Sequence, residues 1–285
     1  MKKLFFIWCF ISSACFSQNF FISLRAGISN YQGDLQDKRL SFKNSKFIGS
    51  VGARYDLSEH IVLRSYLSFT TLVADDKNSS KASARLRNLN FTTHLQELEI
   101  SGQYNFFNLN DRWWSPYFFT GFGLFHFKPY TAAGSTRIFL QPLSTEGQGI
   151  SNGLKKYKLI QPFIPLGVGI DYVLTEDLRI GLEFGFRKTF TDYIDDVSNR
   201  YVDYATLLNA KGQTAVDIAY RGDELPGGAP YPIAGTLRGN VKNKDNYYFT
   251  TLTVTWRPFV DAYKRTSGIS ALPKRKKRVG CPGIK

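Results

Sequence analysis

The chain has three histidines, the side chains most often used in acid–base catalysis. His126 could serve as a general base in a lipid-modifying enzyme if a serine and a carboxylate lay beside it. No motif places either residue type there, so we interpret His126 as a membrane-interface or hydrogen-bonded histidine. His60 lies in a predicted turn and His94 lies near a predicted strand end. The sequence therefore predicts no enzyme activity and no cofactor.

A cluster of three aspartates, Asp192, Asp195 and Asp196, could hold a calcium ion through its oxygens. The spacing matches no calcium loop, so the favoured interpretation is an acidic turn that pairs with Arg187 or Arg200. Zinc spacings, phosphate-binding glycine loops and nucleophile elbows are also missing from the sequence. The sequence therefore predicts no metal site.

The N-terminus has the order of a secretory signal. Lys2 and Lys3 precede an apolar run over 4–11 and small residues over 12–14. We place cleavage after Ser17, which makes residues 1–17 the signal peptide. The alternative, lipidation of Cys15, is disfavoured because Ser12 stands where such signals usually have leucine. No other apolar run is long enough for a membrane helix, so the exported chain is either soluble or a barrel.

Alternation of apolar and polar residues predicts β-strands in a chain that is 15% aromatic. In 178–190, the clearest segment, Leu182 and Phe184 share one face while Glu183 and Gly185 share the other. The other predicted strands are 20–29, 47–57, 61–72, 94–104, 116–127, 159–173 and 246–256.

The fourth predicted strand along the chain, 94–104, departs from simple alternation near its start. Phe91 and Leu95 fall in the opposite phase from Leu98 and Ile100. A β-bulge near Gln96 would reconcile the two halves, and we therefore expect one there.

The connections between these strands alternate strictly in length. Short joins lie near 56–60, 105–114 and 174–177, and long joins lie near 30–45, 73–89, 130–158 and 191–245. Outer-membrane barrels have short periplasmic turns and long extracellular loops. We therefore predict that residues 18–258 form an all-β, eight-stranded antiparallel transmembrane β-barrel. It would lie among outer-membrane lipid, with long extracellular loops and both termini in the periplasm.

The positions predicted to face the lumen are charged and nearly balanced in sign. They are Arg25, Arg54, Arg64, Glu97, Glu99, Asp171, Arg179, Glu183 and Arg187. Buried charges are tolerated when they are paired and hydrogen-bonded. We therefore expect a structural lumen closed by arginine–carboxylate pairs rather than an open pore. The alternative is that some of these charges are hydrated at the rims.

Residues 259–285 form a basic tail, predicted to be periplasmic, in a chain with net charge +14. Its basic run is Lys274, Arg275, Lys276, Lys277 and Arg278. An exported chain meets no nucleic acid, so this run would contact anionic lipid headgroups or an acidic partner, unless it is simply solvated. Cys281 is the only cysteine left after signal cleavage, which suggests an intermolecular bond or a reactive thiol.

Several stretches resemble the PorG family of outer-membrane barrels. They are 31–35 (YQGDL), 142–149 (PLSTEGQG), 187–198 (RKTFTDYIDDVS), 238–240 (RGN) and 281–282 (CP). The resemblance implies a structural component of the type IX secretion system, which anchors a periplasmic ring complex to the outer membrane. The ring would consist of a lipoprotein and its soluble partner, which we expect to meet the basic tail and Cys281.

Within these stretches, nine residues are expected to build a folded extracellular cap rather than a catalytic site. They are Gly33, Asp34, Glu146, Gly147, Gln148, Gly149, Asp192, Asp195 and Asp196. The three glycines are expected to adopt backbone angles closed to other residues. The acidic residues are expected to accept loop amides or to pair with arginine.

Two other functions stay open. A surface receptor or adhesin would use the loop 201–244, which contains Tyr201, Tyr204, Tyr220 and Tyr231. A lipid-modifying barrel enzyme would depend on His126. Loss of surface binding after deletion of that loop, or loss of lipid modification after His126→Ala, would distinguish these functions from a structural role.

Overall fold

A closed antiparallel β-barrel is the architecture of the computed structural model, which describes residues 19–36, 41–134, 136–150 and 154–258. Its strands are β1 (Phe20–Gln32), β2 (Lys46–Asp56), β3 (Ile61–Asp75), β4 (Asn90–Asn105), β5 (Trp114–Ala133), β6 (Thr136–Phe139), β7 (Ile160–Val173), β8 (Leu178–Thr189) and β9 (Asn246–Trp256). Pairing of β4 with β5 closes the sheet, and β6 pairs only with the end of β5. The predicted eight-stranded antiparallel barrel is confirmed. The predicted signal peptide and basic tail lie outside the described residues.

The outer face of the barrel is apolar because every second residue of each strand points away from the lumen. Leu182 is 51% exposed, whereas its neighbour Glu183 is 2% exposed. The same outward exposure is found at Leu24, Val51, Leu67, Ile100, Phe122, Leu124, Leu166, Val168 and Leu252. Such an apolar band is what a barrel presents to lipid. Separately, no helix among the described residues is long and apolar enough to cross a membrane.

Both described ends of the barrel lie at the end with the short turns. The amide of Asp56 donates to the carbonyl of Asn19 at 3.0 Å, and the amide of Arg257 donates to the carbonyl of Asp177 at 2.9 Å. We call this the short-turn end and the opposite one the long-loop end. An even number of barrel strands brings the chain back to the side on which it entered.

The β-bulge predicted near Gln96 is wrong. Strand β4 pairs with β3 without interruption from Asn90 to Tyr104. Phe91 and Leu95 are each 1% exposed and point into the lumen. The phase of the strand never changes; the lumen itself changes from charged to apolar toward the long-loop end. The apolar part also contains Phe125, Phe127, Phe163, Tyr247 and Phe249.

The long loops fold over the long-loop end and form what we call the cap, the described parts of 33–45, 76–89, 134–159 and 190–245. The cap contains β6 and three helices, α1 (Ala82–Arg87), α2 (Tyr204–Lys211) and α3 (Gln213–Ala219). Helices α2 and α3 share a small core of Leu207, Ala215, Val216 and Ala219 with Val202. The longest loop is therefore a packed structure that covers the barrel mouth.

Candidate functional site

Two buried carboxylates, Glu99 and Glu183, join opposite walls of the lumen. Glu183 accepts hydrogen bonds from Arg25 at 2.8 Å, from Arg64 at 2.7 Å and from the Tyr117 hydroxyl at 3.0 Å. Glu99 binds the same two arginines, Arg64 at 3.2 Å and Arg25 at 3.5 Å. Both carboxylates are 2% exposed or less. Four side chains from four strands therefore cross-link the barrel from inside.

Further ion pairs extend this lumen network in both directions. Toward the short-turn end, Arg54 binds Asp171 at 2.6 Å. Toward the long-loop end, Arg187 lies 3.2 Å from both Glu97 and Glu99. Eight of the nine residues predicted for the lumen are thus brought into one connected region.

The ninth residue, Arg179, lies closer to the short-turn end. It binds Asp56 at 2.8 Å, and the sequence analysis did not select Asp56 as a lumen residue. Arg179 and Arg187 are not among the partners of Glu183, although all three share one face of β8. Four residues of extended strand span about 13 Å, too far for direct contact between strand neighbours of this kind. The partners come instead from across the lumen.

The network makes the lumen a sealed interior rather than a passage. Charged side chains from opposing strands meet at hydrogen-bond distance, and Arg64 also lies over the ring of Phe119 at 4.0 Å. An eight-stranded barrel is only wide enough to be filled by its own side chains. The geometry is therefore suited to rigidity and does not favour transport through the barrel.

The cap contains a second network, whose centre is Glu146. One carboxylate oxygen of Glu146 accepts hydrogen bonds from the amides of Ser198 at 2.9 Å and Asn199 at 3.0 Å. The same oxygen binds the guanidinium of Arg238 at 3.1 Å. Glu146 lies in 142–149, Ser198 ends 187–198 and Arg238 begins 238–240. Three stretches that are distant in sequence therefore meet at one carboxylate.

The stretch 31–35 joins the same region through Asp34. Its carboxylate accepts the amide of Asn240 at 2.7 Å. Asp192 is attached nearby through the Ser198 hydroxyl, which donates to it at 2.7 Å. A Cβ at Gly239 would lie 2.4 Å from the Asp34 carboxylate and 2.7 Å from the Ser198 nitrogen. Glycine at this position is therefore required by the close approach of two loops.

Asp195 shares a tyrosine hydroxyl with another aspartate. Tyr31 lies 2.7 Å from Asp195 and 2.7 Å from Asp245. One hydroxyl hydrogen can serve only one of these carboxylates. Burial raises the pKa of both Asp195 and Asp245 well above the ordinary aspartate range, and each is also raised by neighbouring carboxylates. The geometry and the pKa shifts both favour a protonated carboxyl at this position.

Asp196 is held by two hydroxyl donors. Thr145 donates to it at 2.6 Å and Tyr157 at 2.7 Å. Burial raises its pKa to about 6, against the opposing effect of Arg238. Burial likewise raises the pKa of Asp192 to about 6. Two carboxyls of the cap network therefore titrate near pH 6, in the mildly acidic range.

The predicted cationic partners of the aspartate cluster are wrong. Arg187 lies in the lumen with Glu97 and Glu99, and Arg200 donates to the carbonyl of Gly235 at 2.6 Å. Arg238 takes this role, since it also donates to the carbonyl of Asp196. Its only signal in the sequence is the short stretch 238–240. Among the described residues, no group of three or more His, Cys, Asp or Glu side chains is arranged to hold a metal ion.

Glycine is required at the three glycine positions of the predicted cap for two different physical reasons. Gly147 and Gly149 have φ of 81° and 76°, the left-handed region that favours glycine. Gly33 is not among the residues with positive φ, so the reason expected for it is wrong. A Cβ at Gly33 would lie 1.9 Å from both the Asp245 carboxylate and the Tyr31 hydroxyl. Gln148, which lies between Gly147 and Gly149, accepts the Glu146 amide at 3.1 Å through its side-chain oxygen.

The histidines lie apart from one another. His126 is exposed on the outer face of β5, and its cross-strand neighbours are Gln96 and Ile160. His94 contacts the Thr71 hydroxyl at 3.0 Å, and His60 contacts the carbonyl of Asn105 at 2.7 Å. Neither neighbour of His126 is a nucleophile or a carboxylate. Cys281 and the basic run 274–278 lie outside the described residues.

These features define a closed β-barrel whose lumen is filled by ion pairs and whose long-loop end is covered by a folded cap. The chain belongs to the family described as domain of unknown function DUF6089, whose model matches residues 1–217. No curated protein matches the sequence.

Solved structures that resemble this chain include three bacterial proteins. Neisserial surface protein A is 10% identical, with a TM-score of 0.41 and coverage of 84% of this chain and 97% of its own. Ail of Yersinia pestis, solved with the heparin analogue sucrose octasulfate, is 8% identical, with a TM-score of 0.40 and the same coverage. OprG from Pseudomonas aeruginosa is 11% identical, with a TM-score of 0.39 and again the same coverage. Likeness at this level carries no function from one chain to another.

Proposed function

We propose that this protein is a structural component of the type IX secretion system that anchors a periplasmic ring complex to the outer membrane. The observation that supports this most strongly is the convergence of four stretches resembling the PorG family. Glu146 binds the Ser198 amide and the Arg238 guanidinium, and Asp34 accepts the amide of Asn240, so direct contacts link all four stretches. Residues that carry the resemblance are thus brought together in one structure, which supports reading them as one functional unit.

The proposed location is the outer membrane, with the cap outside. The apolar outer band supports a position in lipid, and exposed aromatic side chains lie at the short-turn end on one side of the barrel, from β4 to β7. Tyr104, Phe106, Trp113, Trp114 and Tyr172 belong to this set. Because long loops of such barrels lie outside, the short turns and both described ends would face the periplasm. That is the side on which a ring partner could be reached.

The filled lumen supports an anchoring role over a transport role. Its ion pairs leave a rigid cylinder whose available surfaces are the two ends and the lipid face. An anchor acts through those surfaces and does not need a passage. The basic tail would supply a further contact to the acidic or lipidated partner.

Co-purification from native membranes is the direct test. The full chain, affinity-tagged in the cap and extracted in mild detergent, should retain a periplasmic lipoprotein and a soluble companion, identified by mass. Secretion of type IX cargo should fail when the gene is deleted and recover with the parent. Glu146→Ala should weaken recovery by disordering the cap, whereas the matched surface change Asp217→Ala, on α3, should not. Normal cargo secretion in the deletion strain would contradict the proposal.

A surface receptor or adhesin is the second candidate, favoured by one observation. Ile233 and Leu237, in the longest loop, are 85% and 62% exposed. The nearby tyrosines are less available, since the rings of Tyr201 and Tyr231 pack edge to face at 5.6 Å. Ile233→Ser combined with Leu237→Ser should abolish cell-surface binding while leaving secretion intact if this candidate is right. Unchanged surface binding would contradict it.

A further inference from the structure

A cleft of about 420 Å³ opens on the cap, beside the start of α2. Its walls come from three segments of the cap, namely Glu146 with Leu154, residues 199–203 with Thr206, and Ala234 with Gly235. A cleft of this volume is within the range of small-molecule binding sites. It shares no residue with the lumen network, and the proposed anchoring role makes no use of it.

Glu146 brings to this cleft a carboxylate oxygen that lacks a hydrogen-bond donor. The Oε1 atom of Glu146 binds the Ser198 amide, the Asn199 amide and the Arg238 guanidinium. The Oε2 atom has no hydrogen-bond partner among the described residues, although Glu146 is only 2% exposed. A buried acceptor without a donor is unfavourable. The cleft therefore favours a ligand that can donate a hydrogen bond to Oε2.

Asn199 and Arg200 add unused hydrogen-bonding groups to the same cleft. The side-chain amide of Asn199 is half-buried and forms no hydrogen bond within the described part of the chain. Such an amide offers both donors and an acceptor. Arg200 is exposed, and one of its nitrogens donates to the Gly235 carbonyl at 2.6 Å, which leaves other N–H donors of the guanidinium available. The cleft thus presents donors and acceptors side by side, which a ligand with several hydroxyl groups matches.

The charges at the cleft favour a neutral ligand. Two carboxylates, Glu146 and Asp203, and one guanidinium, Arg200, line the cleft. Arg238 pairs with Glu146 at 3.1 Å and supplies a second positive charge. A cationic ligand would be repelled by two arginines, and an anionic ligand would be repelled by two carboxylates. A hydroxyl group carries no charge and can both donate and accept, so a ligand with hydroxyl groups meets neither penalty.

Apolar side chains and an ordered helix start complete the cleft. Leu154, Val202 and Ala234 supply apolar surface against which the C–H groups of a ligand can pack. Asp203 caps α2 by accepting the Thr206 amide at 2.9 Å and the Thr206 hydroxyl at 3.0 Å. These bonds hold this wall in place before a ligand arrives, which lowers the entropic cost of binding.

We infer that this cleft binds a neutral saccharide, with one hydroxyl donating to Oε2 of Glu146 and others exchanging hydrogen bonds with Asn199 and Arg200. A sugar ring combines hydroxyl groups, which suit these three residues, with C–H groups, which suit the apolar wall. Sugar recognition by the cap would be a second activity, which goes beyond the proposed anchoring role and does not depend on it.

Saturation-transfer NMR on the purified full chain, in a detergent without a sugar headgroup, tests this inference. The probes are the methyl glycosides of glucose, galactose, mannose, fucose and N-acetylglucosamine. At least one of them should receive saturation from the protein and give a measurable Kd on titration. Asn199→Ala should raise that Kd about five-fold or more, since it removes only the side-chain amide. Asn209→Ala, at an exposed position of α2, is the matched control and should stay within about two-fold of the parent.

Ala234→Phe tests the cleft itself by filling it. Ala234 is exposed and lines the cleft, so a phenyl ring can occupy the place of the ligand, and alanine has no side-chain hydrogen bond to lose. Binding should therefore disappear. Ala210→Phe, at an exposed position of α2 outside the cleft, should bind like the parent. Hydrogen exchange of the Ser198 amide at the rate of the parent confirms that the cap is folded in each variant.

Three results would overturn the inference: no binding of any probe, an unchanged Kd in either cleft variant, or tighter binding of N-acetyl-lysine amide or N-acetyl-glutamate amide than of every sugar. The first result would mean that water alone fills the cleft. Because the assay contains no secretion components, its failure is separate from failure of the proposed anchoring role.

Discussion

Arg64 of β3 donates a 2.7 Å hydrogen bond to Glu183 of β8, although 119 residues separate them in the chain. The same carboxylate binds Arg25, 158 residues away, at 2.8 Å. Neither contact can form until the barrel has closed. The pair therefore links stability of the lumen directly to closure of the sheet.

Replacing Glu183 should destabilise the barrel strongly. Glu183→Ala leaves Arg25 and Arg64 without this partner in a buried site, with an expected loss of about 3 to 5 kcal/mol in the free energy of unfolding. Thr253→Ala is the matched lumen control, because the Thr253 hydroxyl is buried without a hydrogen-bond partner, and it should cost about 1 kcal/mol or less. Urea unfolding in lipid vesicles, followed by loss of heat-modifiable migration, measures both. Equal midpoints would show that the lumen charges are hydrated.

A charged substitution on the outer face should lower the free energy of unfolding more, the deeper it lies in the apolar band. Leu182→Arg places a cation in the middle of the apolar band and should cost roughly 2 to 4 kcal/mol. Phe190→Arg lies farther along the same face, beyond Lys188, and should cost at most about 1 kcal/mol because it lies near the interface. Unfolding in vesicles compares the two. A larger cost for Phe190→Arg would place the membrane elsewhere on the barrel.

Gly33→Ala should disrupt the cap although glycine is not needed there for its backbone angles. The added Cβ would collide with Asp245 and Tyr31, each 1.9 Å away. The expected cost is about 1 to 3 kcal/mol, typical of overpacking. Gly102→Ala is the control, since a Cβ there meets nothing within 4 Å. Hydrogen exchange of the cap amides should rise for Gly33→Ala alone, and similar exchange in both variants would refute the close-approach account.

The cap should be more stable in mild acid than in mild base. Burial raises the pKa of Asp196 to about 6, above the ordinary aspartate value of about 4. A carboxyl whose folded pKa is raised contributes stability that is complete below about 4 and is lost as the pH rises through about 6. For Asp196 this amounts to an expected change on the order of 2 kcal/mol.

Hydrogen exchange of the Ser198 and Asn199 amides, corrected for intrinsic rates, should show greater protection at pH 5 than at pH 8. Asp196→Asn is the control, because asparagine tolerates the φ of 65° at this position and cannot titrate. Its pH dependence should be shallower than that of the parent. Greater protection of the parent at pH 8 would contradict the assigned shift.

Cys281 provides a covalent test of partner contact. If the basic run docks on the ring, the Cys281 thiolate, favoured by the neighbouring cations, can form a disulfide with a cysteine of the ring lipoprotein by exchange with a disulfide oxidant of the periplasm, which is reduced to its dithiol. Non-reducing gels of native membranes should then show a heavier band that disappears in Cys281→Ser. A parent that runs only as the free chain, with full maleimide labelling, would exclude this bond. Docking by charge alone would then be tested by its loss at high salt.

The sequence by itself determined the barrel, because strand alternation is a local property. Leu182 and Glu183 face opposite sides whatever the rest of the chain does. The alternation of short and long connections likewise fixes which loops share an end. These features predicted the strand number, the direction of the charged face and the cluster of long loops.

Only the tertiary structure decided which residues meet. Closure placed Glu183 against Arg25 and Arg64 rather than against Arg179 and Arg187, because partners across a lumen depend on the register of all intervening strands. Phe91 and Leu95 face the lumen in phase with the rest of β4, because the lumen is apolar near the long-loop end. The sequence alone favoured a bulge there. In the cap, Arg238 reaches Glu146 from 92 residues away. Periodicity cannot encode such contacts, since loops converge only when the strands that carry them are already side by side.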